Sequence, residues 1–255
     1  MSRRIDVVSK PPTKRAGLEA LTIIGGPEYG AILLDLPRSL QRSVERLVRE
    51  GELDLLEEQL HADLALSAAA KGHETLLKLL PRFAAGRPVY CYAPDPSERE
   101  RRLQEELARL LLRDSITGRI SVAEWRELIG DARRASDIGL AEQALYILGI
   151  ARRFEAIVCV SDVVKAQPLR RELQRAAETR IIFTGLPHHH TPLQSLILSR
   201  REPSEHEIVE AVKQHIKLIR DYVIPLGLEQ GIEEWAAKRL RWLSHGSVYP
   251  RRSLD

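Results

Sequence analysis

Cysteine is almost missing from this chain: its 255 residues include two, Cys91 and Cys159. Two cannot build a cysteine-based structural zinc site or a disulfide framework. Each lies in an apolar run ("PVYCYAP" and "EAIVCVSD"), where a free thiol behaves as a small buried hydrophobe. Aromatic residues are scarce at 5%, so leucine, isoleucine, valine and alanine have to fill the interior. The same scarcity removes the stacking platform that a single-strand nucleic-acid binder needs. No apolar run approaches the length required to span a bilayer, and "MSRRIDVVSKPPTKR" lacks the apolar stretch of a signal peptide. No membrane partner is therefore expected, and the expected location is the cytoplasm. The Walker, dinucleotide-loop, G-x-S-x-G and H-E-x-x-H patterns are all missing, which argues against a serine hydrolase or a zincin.

Charge of one sign is missing too, because the net charge is only +3. That value does not by itself argue for a nucleic-acid partner. The basic residues do gather at the ends. Arg3, Arg4, Lys10, Lys14 and Arg15 read as a basic N-terminal arm over residues 1–15, and Lys238, Arg239, Arg241, Arg251 and Arg252 as a basic C-terminal end. Solvated termini account for both.

What the chain does have is a series of short, nearly continuous apolar runs. They fall at 21–26, 30–37, 87–95, 155–162 and 180–187. Continuous rather than alternating hydrophobicity is the mark of strands buried on both faces of a parallel sheet. Leucine- and alanine-rich helical segments separate most of them, so the expected fold is α/β, a mainly parallel sheet flanked by helices. The gap between the first two runs is too short for a crossover helix and suggests a hairpin or irregular edge. The long stretch before the fourth run predicts a helical insertion at about 97–152 within a core spanning 16–203. Ser204 and Glu207 have capping-box spacing and open a helical C-terminal segment, 204–255, expected to pack on the core. Its apolar stripe (Ile208, Val212, Ile216, Ile219, then Ile232, Trp235, Leu240, Trp242) is a candidate homo-oligomer surface as well as a core cover.

In open α/β sheets, ligands bind beyond the carboxyl ends of the strands. The runs end in Glu28, Asp35, Asp95, Asp162 and the triplet His188, His189 and His190. Acids and imidazoles converging on one edge suit a divalent metal ion, with Asp35, Asp95 and the three histidines as candidate ligands. Aspartate also caps helices and starts turns, so Asp95 and Asp162 are equally candidates for caps. His206 and His215, nine residues apart, fall on roughly opposite faces of one helix and make no metal pair.

The stretch "AILLDLPRSLQ" resembles a motif of the TraB/ChaN/TIKI superfamily, which includes the erythromycin-esterase-like proteins, with Asp35 in place of glutamate. "RRASDIGLAEQAL" resembles the family's arginine helix and makes Arg134 the corresponding arginine; "AIVCVSDVVKAQPLRREL" resembles a later strand and helix start, with Pro168 and Leu169 in place. The similarity spans roughly 20–200. It departs at both family histidines: "TIIGGPEYG" offers only Glu28, and Ser161-Asp162 stands where glycine and histidine are expected. The resemblance implies a metal-dependent hydrolase-like enzyme acting on a small-molecule or peptide substrate, with Asp35, Glu28, Arg134 and Asp162 as catalytic groups. The alternative is a non-catalytic binding or assembly protein of the same fold.

Overall fold

The computed structural model describes residues 3–136, 139–199 and 201–240. Arg241, Trp242, Arg251 and Arg252 lie outside the described residues. Five strands form one all-parallel sheet in the order β3-β2-β4-β1-β5. They are β1 (Arg4–Lys10), β2 (Ala31–Pro37), β3 (Val89–Ala93), β4 (Ala156–Asp162) and β5 (Glu178–Phe183). The four runs expected from 30 onward are therefore strands, with helices on both faces.

The first run is not. Residues 21–26 close a helix, α1 (Lys14–Ile24), capped by the Thr13 hydroxyl, which accepts from the Ala16 N–H. Ala16, Gly17, Ala20, Leu21 and Ile24 are buried at helical spacing, so a period of 3.6 prevails over the β-propensity of the Ile23–Ile24 pair. The true first strand lies inside the expected basic arm. Ile5, Val7 and Val8 are completely buried, and the charges around them are paired: Arg180 on β5 forks onto Asp6 at 2.8 and 2.6 Å. No hairpin joins β1 to β2, because α1 carries the crossover between them.

After β2 come α2 (Gln41–Glu50), α3 (Asp54–Ala62), α4 (Leu64–Ala70) and α5 (Glu74–Ala84). One sheet face packs on α1, α2 and α5 through Leu21, Ile24, Leu47 and Leu80. The expected insertion follows β3 as α6 (Glu98–Thr117), α7 (Val122–Ser136) and α8 (Leu140–Ala151). With α9 (Ala166–Leu173), α8 covers the other face through Ile147, Leu169 and Leu173. The remaining helices are α10 (Pro192–Leu198), α11 (Glu205–Leu218), α12 (Ile224–Leu226) and α13 (Leu228–Arg239). Leu110, Trp125, Leu193, Ile208 and Val212 join α6, α7, α10 and α11 in a separate apolar cluster. The C-terminal stripe thus covers protein: Ile208, Val212, Ile232 and Trp235 are buried within the chain. Cys91 and Cys159 are free and buried.

Candidate functional site

The carboxyl ends of β1, β2 and β4 bring Lys10, Asp35 and Asp162 to one edge. β2 pairs with β4 only as far as Leu34, and its register with β3 shifts between Leu34 and Pro37. The ladder opens at Asp35, as a bulge does when it re-aims a side chain. Asp35 is buried and accepts from the Lys165 ammonium at 3.2 Å and, at 3.4 Å, from the Asp162 backbone N–H. Asp162 in turn accepts from the Val164 N–H at 2.8 Å, an Asx-type turn that hands the chain from β4 towards α9. Burial holds the Asp162 carboxyl above its usual range; the Val164 hydrogen bond opposes this, and the Asp35 charge adds to it. The neighbouring Asp35 carboxylate keeps the Lys165 ammonium more firmly protonated than usual, against the cost of its crowded surroundings.

Lys10, 2% exposed, hydrogen-bonds the Gly72 carbonyl and lies 3.7 Å from Glu229 on α13. Burial lowers its pKa, and the Glu229 and Asp162 charges oppose the shift. Gly72 has a positive φ of 87°, and a Cβ there would lie 2.5 Å from Pro12, so glycine lets this loop press against the end of β1. The next residue, His73, is buried with an unpartnered Nδ1. Burial first, then the Lys10 and Lys165 charges, push its pKa well below normal and keep the ring neutral.

Asp35, Asp162, Lys165 and His73, though not Lys10, border a cavity of about 850 Å³ between the strand ends and the helices above them. They line its floor, with Lys71, Glu100, Gln104, Arg133, Gln143 and Gln194 among the other polar groups; Ala65, Ala68 and Ala69 of α4, Leu103 of α6 and Ile197 of α10 supply apolar lining. Volumes of this order suit a drug-sized ligand, for which pockets run from about 300 to 1,000 Å³. Lys165 is surrounded by protein on most sides, yet 43% of its side chain reaches solvent, as expected of a group standing on a cavity floor.

Other expected site residues are placed elsewhere. Glu28 precedes β2, at the opposite, amino-terminal edge of the sheet, and is half exposed at 3.9 Å from Arg4. Its assignment followed from reading 21–26 as a strand. Arg134 is exposed and pairs with Asp131 at 2.8 Å. Its neighbour Arg133 lines the cavity instead, donating to the carbonyls of Leu196 at 2.6 Å and Ile197 at 3.2 Å. Asp95 is at the correct edge but exposed, and caps the Ser39 N–H at 2.8 Å.

The histidine loop also lies near this edge, since His190 responds to the Asp162 charge, but none of the three rings lines the cavity. Gly185 holds the loop against α1: its N–H donates to Glu19 at 2.6 Å, and a Cβ on it would meet Ala16 at 2.7 Å. His188 and His190 meet edge-on at 5.5 Å, and His189 meets Trp235 at 5.1 Å. Burial pushes His188 down to about 4. Among the described residues, no three His, Cys, Asp or Glu side chains are grouped to hold a metal ion. The counter-charge that a metal would supply to Asp35 comes from Lys165, so the donor set does not fit a resident divalent ion. Sequence reasoning missed Lys10, His73 and Lys165. Lys10 was legible as the residue that follows the run Ile5–Ser9, immediately before two prolines; His73 carried no local signal.

Comparison with protein-family models, with curated proteins and with solved structures found no match to this chain. No helix among the described residues is long and apolar enough to cross a membrane.

Proposed function

We propose that this chain is a hydrolase-like enzyme for a small molecule, working from Asp162, Lys165 and Asp35 by acid–base and electrostatic catalysis. The observation that carries the reading is the carboxylate–ammonium–carboxyl cluster on the floor of the 850 Å³ cavity. A carboxyl group raised by burial is brought nearer to neutrality, where a general base is most useful. In the proposed step Asp162 takes a proton from water as the water oxygen bonds to the substrate's acyl carbon. It returns that proton to the leaving heteroatom as the acyl bond breaks. Lys165 stabilises the negative charge developing on the acyl oxygen, and Asp35 keeps Lys165 charged and in place.

The test is a panel of ester and amide substrates turned over by the full chain and by Asp162→Asn. Loss of about 100-fold or more in kcat is expected for the variant, the usual range for a general base. Equal turnover by both proteins would overturn the assignment. Tight ligand binding without turnover in either would favour the non-catalytic binding protein.

A further inference from the structure

We infer that the cavity selects aliphatic carboxylates and their acyl derivatives, with the carboxyl head on Lys165 and the aliphatic tail along α4 and α10. This deepens the reading above and rests on the same cavity being the functional site.

Three features of the lining carry it. The first is the balance of cations. Two ammonium groups reach the cavity: Lys165 on its floor, backed by its partner Asp35, which is only 2% accessible, and the exposed Lys71. Lys10 is occupied by the Gly72 carbonyl and Glu229, and Arg133 by the carbonyls at the end of α10. The lining's cations (Lys71, Arg133, Lys165) are matched by its carboxylates (Asp35, Glu100, Asp162) and leave no positive surplus, which suits a monoanionic head; a phosphate carrying close to two charges would call for further cations. The second is the wall. Ala65, Ala68, Ala69, Leu103, Ile197 and Leu198 give it an aliphatic strip beside Glu100, Gln104 and Gln194, and among the described residues no phenylalanine, tyrosine or tryptophan lines the cavity. Bases and other flat rings find no stacking face there, whereas methylene chains do find contact area. The third is the set of unpartnered polar atoms. His73 Nδ1 and Gln143 Oε1 belong to buried residues that line the cavity, and neither has a hydrogen-bond partner among the described residues. Buried polar groups are almost always paired, so a bound molecule or water is the natural partner.

The experiment is calorimetric titration of the full chain with butanoate, hexanoate, octanoate and decanoate, with benzoate and inorganic phosphate alongside. Affinity should rise about fourfold per added methylene until the cavity is filled, from about 0.8 kcal/mol per buried methylene. Benzoate and phosphate should bind at least tenfold more weakly than octanoate. Lys165→Met should weaken octanoate at least tenfold, and Lys165→Arg should retain most of the affinity. Ala68→Phe narrows the tail wall and should cost decanoate far more than butanoate, which separates cavity binding from adsorption elsewhere. Affinity independent of chain length, phosphate binding as well as octanoate, or unchanged binding by both Lys165→Met and Ala68→Phe would overturn the inference. Asp162→Asn should still bind octanoate, so failure of the ligand class is read by titration and failure of the reaction by turnover.

Discussion

Asp162 and the buried histidines pull the pH dependence of stability in opposite directions. His188 and His215 are both pushed down to about 4 by burial, and His73 lies well below its normal value. As pH falls below about 6.5 the unfolded chain takes up protons that the folded chain refuses. Stability should therefore decline from about pH 6.5 towards 4. The Asp162 carboxyl, raised by burial, binds its proton more readily when folded. Its contribution is fully present below the unfolded value of about 3.9 and is lost as pH rises through the folded value. At neutral pH Asp162→Asn should thus raise the Tm, because the amide keeps the Val164 hydrogen bond without a charge to bury. A thermal-melt series from pH 4 to 8 on the two proteins checks both signs. A variant less stable than the parent at pH 7 would contradict the desolvation account of Asp162.

At the scale of elements, β3 shows how an edge strand is closed without a further strand. Gln41, at the start of α2, donates to the Val89 carbonyl at 2.8 Å and accepts from the Cys91 N–H at 2.7 Å. One side-chain amide thereby imitates the backbone of a neighbouring strand and blocks pairing with another chain. Gln41→Ala should destabilise the fold by about 1–3 kcal/mol, the cost of leaving buried backbone groups unpaired. It should also raise the tendency to associate, read by urea unfolding and light scattering. A neutral effect on both would show that water satisfies this edge. The strands at 30–37, 87–95 and 155–162 were legible because burial on both faces demands unbroken apolar runs; the edge strand β5, whose residues are exposed or half-buried, was legible from the β-formers Ile181, Ile182 and Phe183. α1 was misread because Thr22, Ile23 and Ile24 are β-type residues, and the helical spacing becomes visible only when Ala16, Gly17 and Ala20 are counted with Leu21 and Ile24.

Across the whole molecule, the C-terminal segment is tied to the site. Glu229 of α13 accepts from the N–H of Thr75 at 3.0 Å and from its hydroxyl, and faces Lys10 at 3.7 Å. The same helix therefore holds the loop that carries His73 and the end of β1. Lys10→Met should cost about 3–5 kcal/mol by leaving the Glu229 charge buried and uncompensated. The double variant Lys10→Met/Glu229→Gln should recover much of that, since glutamine still accepts from Thr75. Urea unfolding of the single and double variants measures the coupling. A single variant that costs under about 1 kcal/mol would mean that water already screens the pair.

By itself the sequence determined the fold class, four of the five strands and the identity of Asp35 and Asp162 as edge carboxylates. These follow from local periodicity and from the rule that parallel strands present ligands at their carboxyl ends. The tertiary structure alone decided which charges meet. Lys10 looked like part of a solvated arm, yet the sheet places it in register beside Asp162. Glu28 and Arg134 looked like site residues, yet the crossover helix and the helix face carry them away. The histidine triplet reached the expected edge and was turned aside by Gly185 and Trp235. Side-chain convergence depends on loop paths and helix rotations set by contacts far apart in the chain, and local pattern carries no record of them.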